Sequence, residues 1–98
     1  MGIKLLENKK ILVTGANRGI GFAVVKTLIS EGAYVLGLIR DLKSSNLTEL
    51  NTIKNKHPNN IKIIDINIED EEEIKLKLPN ILKEFDCIDG LVNNAGKV

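Results

Sequence analysis

The sequence predicts a three-layer α/β fold built on a parallel sheet, in the order β-α-β-α-β-α-β. Three observations carry this. Four short runs rich in apolar residues recur along the chain, the first of them continuous rather than alternating, as expected of a strand covered on both faces. The segments between them place apolar residues at helical spacing. A glycine-rich turn, Thr14-Gly15-Ala16-Asn17-Arg18-Gly19-Ile20-Gly21, joins the first run to the first helical segment. Strands alternating with helices imply right-handed crossovers, and a doubly wound arrangement then gives the spatial order 3-2-1-4.

The first strand reads from Lys10 to Thr14. The first helix is expected from about Gly19 to Glu31, with Ile20, Ala23, Val24, Thr27 and Leu28 as its apolar stripe. Gly32 is its stop, since glycine takes a left-handed cap without steric cost. Val35 to Ile39 is the second strand, and Asp41 to Asn46 is a polar loop. Asn46 is placed to cap the next helix, with Glu49 three residues on, an arrangement resembling a capping box. That helix covers residues 47–56 and ends at His57-Pro58-Asn59-Asn60. Ile61 to Ile66 forms the third strand.

Five acids, Glu69-Asp70-Glu71-Glu72-Glu73, come next. They suit either a cation site or the first turn of a helix, where negative charge meets the positive end of the dipole. Ile74, Leu76 and Leu78 follow at once and favour the helix. Pro79 should kink or divide this third helix near Leu78, because proline lacks a donor and clashes with the preceding turn. Ile81, Leu82 and Phe85 continue its stripe, and Gly90 to Val92 belongs to the fourth strand.

Composition narrows the classes of function. Net charge is +1, so nothing in the charge balance favours a nucleic acid or a membrane surface as partner. Phe22, Tyr34 and Phe85 are the only aromatic residues, too few to stack the bases of a single strand. Cys87 is the lone cysteine; it reads as a reduced thiol in a cytoplasmic protein, and no metal site is expected. No run approaches the length of a membrane span, and Met1 to Glu7 has no signal-peptide pattern. The 98 residues read as part of a single domain.

The glycine turn carries the chemistry. Strand, glycine turn and helix in that order put backbone amides and a positive helix end in front of a dinucleotide pyrophosphate. The spacing Gly15-x-x-x-Gly19-x-Gly21 is neither G-x-G-x-x-G, which would need glycine in place of Val24, nor a P-loop, which would need a following Gly-Lys-Ser/Thr. The three glycines still divide the work: one turns the chain off the strand, one clears space for phosphate, and one lets helix and strand approach.

Thr14-Gly15-Ala16-Asn17-Arg18-Gly19-Ile20-Gly21 resembles the Thr-Gly-x-x-x-Gly-x-Gly motif of the short-chain dehydrogenases/reductases, and Asn93-Asn94-Ala95-Gly96 resembles that family's Asn-Asn-Ala-Gly motif. The resemblance runs from about Lys9 to Gly96, in the compact branch of the family, where the 3-oxoacyl carrier-protein reductases look similar. It implies a Rossmann-type fold, incomplete here relative to the full family fold. It implies that the turn around Gly15, Asn17, Gly19, Ile20 and Gly21 meets the pyrophosphate side of the cofactor. Asp65 and Ile66 match the family's adenine contact. Asn93 lies near the adenosine ribose, and Ala95 and Gly96 line the cleft.

The choice of dinucleotide turns on the second strand. An acid at its tip would bond the ribose 2′-hydroxyl of NAD. Ile39 stands there and cannot, and Arg40 follows. Of the 14 lysines and arginines only Arg18 and Arg40 are arginine, and both match positions where the family's NADP-binding members hold the 2′-phosphate. Guanidinium forks suit phosphate better than ammonium groups do. The cofactor expected is therefore NADP(H) rather than NAD(H). The competing reading is two surface arginines, with Arg40 paired to Asp41.

Family members transfer hydride between nicotinamide and a small carbonyl or alcohol substrate, using a Ser and a Tyr-x-x-x-Lys beyond the Asn-Asn-Ala-Gly motif. Here Tyr34 is the only tyrosine, with Leu38 four residues on, and only Lys97 and Val98 follow Gly96. No catalytic residue is assigned, and the chain alone is expected to be inactive. A bare fourth-strand edge would leave Leu91 and Val92 uncovered, which favours self-association or pairing with the remainder of the fold. The alternative function is a non-catalytic nucleotide-binding or interaction module.

Overall fold

A computed structural model of the chain describes residues 5–17, 19–40, 47–67, 69–84 and 88–93. Its elements are β1 (Lys10–Thr14), α1 (Gly19–Ser30), β2 (Tyr34–Ile39), α2 (Thr48–Lys56), β3 (Ile61–Asp65), α3 (Glu71–Glu84) and β4 (Gly90–Val92). The four strands form one sheet in the order β3-β2-β1-β4, with every neighbouring pair parallel. This is the Rossmann-like α/β arrangement that the alternation of runs predicts.

The strands sort their side chains by parity, because successive residues point to opposite faces. Ile11, Val13, Val35, Ile39 and Ile61 pack with Val25 and Ile29 of α1 and Leu50 of α2. Leu12, Leu36 and Leu38 point the other way and pack with Ile66 and with Ile81 of α3. Two helices thus cover one face and one covers the other. Each fully buried Val, Leu or Ile contributes about 1.5–3 kcal/mol. The sheet holds its register through pairs such as Thr14 with Leu38 and Val13 with Val92.

Three local expectations are corrected. The stripe of α1 is rotated by about one residue: Gly21, Val25 and Ile29 are buried, while Ile20 is 74% exposed and Ala23 and Thr27 face solvent. Gly21 has no side chain, so this face lets the helix lie closest to the sheet. The N-cap of α2 is Leu47, not Asn46, and no side-chain hydrogen bond caps it. Its carbonyl accepts from the Asn51 N–H at 2.8 Å. Asn46 and the loop from Asp41 lie outside the described residues.

The third correction concerns division of the helix at Pro79. Helix α3 runs as one element through it. Pro79 and Lys75 both lie on the exposed side, so the Lys75 carbonyl, which has no N–H to receive at position 79, meets water rather than the core. Ile74 before the proline and Ile81 after it both pack into the second cluster, fixing the two halves to the same sheet face. Phe85 and Cys87 lie outside the described residues. No helix among the described residues is long and apolar enough to cross a membrane.

Candidate cofactor site

All four strands end at the same edge of the sheet, and the sequence-predicted residues gather there. Beyond Thr14 the chain turns through Gly15, whose φ of 62° is left-handed and whose N–H donates to the Leu38 carbonyl at 3.0 Å. Ala16 then tucks inward and is fully buried. Gly19 opens α1 with φ 45°, and a Cβ built on it would meet no atom within 4 Å. A side chain at this position would therefore enter open space. No acid stands in the first turn of α1, so its positive end keeps its charge. Asn17, Gly19 and Phe22, with Glu49 from α2, line a shallow depression beside it.

The strand ends are fastened across the point where the chain crosses to opposite faces. The Thr14 hydroxyl, 4% exposed, donates to Asn93 Oδ1 at 3.0 Å and lies 3.5 Å from the Val92 carbonyl oxygen. This joins the last residue of β1 to the residue after β4. In a doubly wound sheet the ligand crevice opens between such strands.

Arg40 follows β2 and is exposed. Its Nη1 lies 3.5 Å from Glu69 Oε1. A partner of Arg40 is thus an acid of the β3–α3 connection; Asp41 lies outside the described residues. Asp65 ends β3 and is exposed, and its carbonyl accepts from Lys77 Nζ at 2.7 Å. Lys77 also donates to Glu73 Oε1 at 2.8 Å. That hydrogen bond, more than simple charge attraction, holds the Glu73 carboxyl below its ordinary pKa and the Lys77 ammonium above its own. Ile66 differs from its neighbour: its side chain is buried in the second core cluster, and its N–H donates to the Ile39 carbonyl at 3.1 Å. Only its backbone can face a ligand at this edge.

The turn, Arg40, Asp65 and Asn93 thus share one edge, with Ile20 projecting from the α1 mouth. Arg18, Asn94, Ala95 and Gly96 lie outside the described residues. The acidic run is accounted for at the start of α3. Asp70 Oδ1 accepts from the N–H groups of Glu72 and Glu73 at 3.0 and 3.2 Å, and Glu71, Glu72 and Glu73 fill the first turn. Among the described residues no group of three or more His, Cys, Asp or Glu is placed to hold a metal ion.

Sequence reasoning missed Gly37. A Cβ there would stand 3.1 Å from Ala16 Cβ. Gly37 thus makes the space into which the glycine turn seats. A glycine inside an otherwise apolar strand signals such a close approach.

The family model for short chain dehydrogenases matches residues 9–98. The chain is 40% identical over 90 residues to the 3-oxoacyl-acyl-carrier-protein reductase FabG of Salmonella typhimurium, covering 92% of this chain and 35% of that protein. The citronellol catabolism dehydrogenase AtuB of Pseudomonas aeruginosa superposes with a TM-score of 0.82 at 30% identity, covering 100% of this chain and 40% of that one. A short chain dehydrogenase from Pseudomonas syringae gives 0.80 at 33% identity, covering 97% and 39%. The chain spans about a third of the length of the curated relatives it matches.

Proposed function

The chain belongs to the short-chain dehydrogenase family, and from that premise we propose that it is the NADP(H)-binding portion of an oxidoreductase acting between a carbonyl and an alcohol. Residues 1–98 form part of a single dinucleotide-binding domain in this reading. One observation carries it: the start of α1, with a left-handed Gly19 and no acid in the helix's own first turn, lies at the same strand edge as the Thr14–Asn93 fastening.

The donor set fits a dinucleotide. Backbone amides of the turn beyond Gly15, including those at Asn17 and Gly19, hold the pyrophosphate, Gly15 shapes the turn and Gly21 lets the helix approach the sheet, and Ile20 lies along the cofactor. Arg40, with Arg18, holds the 2′-phosphate. The Asp65 carboxylate and the backbone at Ile66 meet the adenine. Asn93, Ala95 and Gly96 follow the ribose and the cleft. When bound, the nicotinamide supplies the hydride donor or acceptor; these residues bind and orient it. Tyr34 starts β2, at the opposite edge of the sheet from the turn, and takes no part in the chemistry. No residue of this chain is assigned as catalytic, and the carbonyl or alcohol is met by other parts of a longer protein.

Titration of NADPH and NADH into Arg40→Ala tests the assignment. NADP(H) binding should weaken by about 1.5–3 kcal/mol, the worth of a hydrogen bond to a charged group, with NAD(H) little changed. Equal losses for both dinucleotides overturn it.

A further inference from the structure

We infer that Glu69 is a specificity-determining residue for the dinucleotide: it is an internal counter-anion of Arg40 that an arriving 2′-phosphate must displace. The inference rests on the NADP(H) reading above. β3 lies beside β2, with Ile39 opposite Asp65, so the segments that follow these strands start as neighbours. Arg40 comes from one and Glu69 from the other, and their charged atoms lie 3.5 Å apart.

Backbone hydrogen bonds hold Glu69 and its neighbour Asp70 to Asn67. Asn67 Oδ1 accepts from the Glu69 N–H at 3.0 Å, and the Asn67 carbonyl accepts from the Asp70 N–H at 3.1 Å. Asp70 in turn caps α3. The carboxylate is therefore presented to Arg40 by an anchored backbone. The two side chains are 63% and 45% exposed, so a ligand can reach the pair. An exposed pair at this separation is weak. A phosphate dianion offers the guanidinium a stronger and bidentate partner.

The consequence differs between the two cofactors. NADP(H) must break or share the Arg40–Glu69 pair and accept a carboxylate near its own negative charge. NAD(H) carries a 2′-hydroxyl at that place and need not disturb the pair. Glu69 thus restrains NADP(H) affinity and leaves NAD(H) alone.

Calorimetric titration of the 98-residue chain with NADPH and with NADH tests this in wild type, Glu69→Gln, Arg40→Ala and the double variant. Glu69→Gln should bind NADPH about two- to fivefold more tightly, the scale of an exposed ion pair. NADH should be unchanged, and the gain should vanish when Arg40 is Ala. Glu69→Lys should give a larger gain of the same sign. If Glu69→Gln binds NADPH no better while Arg40→Ala still loses NADPH, the role of Glu69 is overturned and that of Arg40 stands. If Arg40→Ala leaves NADPH binding intact, or no form binds either dinucleotide, the NADP(H) reading falls and takes Glu69 with it.

Discussion

Helices α1 and α3 both begin at the edge where the parallel strands end, and they treat their first amides in opposite ways. At α3, Asp70 accepts two of them, and three glutamates in the first turn offset the dipole. At α1, the first turn is Gly-Ile-Gly-Phe, with no acid, and a side chain at Gly19 would enter open space. The backbone dipole is the same in kind at both ends. What separates the self-capped start of α3 from the start of α1, where we propose a ligand binds, is which side chains have been withheld.

The largest effect should come from closing the open mouth. Gly19→Val places methyl groups in that space and carries a side chain at φ 45°. Losing two charge-assisted hydrogen bonds at about 1.5–3 kcal/mol each should weaken either dinucleotide at least a hundredfold. The left-handed residue itself costs only about 1–2 kcal/mol, measurable by denaturant unfolding. A change in affinity of less than about tenfold would show that the pyrophosphate sits elsewhere.

The converse substitution at α3 should be smaller and purely structural. Asp70→Ala should lower stability by about 0.5–2 kcal/mol, the usual worth of an N-cap. Dinucleotide affinity should not move. If it falls as stability does, the two helix starts are not separate in function.

The smallest effect concerns pH. Glu73 titrates below its ordinary 4.5 because Lys77 donates to it, so the pair's contribution is complete above pH 4.5 and is lost as pH falls through the lowered value. Lys77 titrates above its ordinary 10.5, so on the alkaline side the contribution is complete below pH 10.5 and is lost above it. Lys77→Met should therefore melt below wild type at neutral pH, with the gap closing under pH 4.5. A gap that stays constant across that window would assign the loss to packing of the lysine stem instead.

Much of this was readable from residue order. The apolar runs gave strand positions within a residue, most clearly for β1 and β2, where burial on both faces leaves no polar side to confuse the limits. The acidic run declared itself a helix start through the apolar residues behind it. What resisted reading depends on tertiary distance. The rotation of the α1 stripe follows from Gly21 lying against the sheet, and hydrophobicity alone gives Ile20 to the core. Pro79 does not divide α3, and the exposure at Lys75 that leaves its unpaired carbonyl open to water is invisible in sequence. Glu69 pairs with Arg40 only because β2 and β3 are neighbours. Ile66 continues an apolar run and is read with Asp65, yet the pleat sends the two side chains to different environments.

Gly37 never comes to the strand edge, yet the vacancy it leaves lets Ala16 descend against β2 and so bears on the height of the rim at which we propose a phosphate sits. The dimensions of the rim are inherited from the interior of the sheet. A redesign of nucleotide preference confined to surface positions would leave that vertical measure untouched.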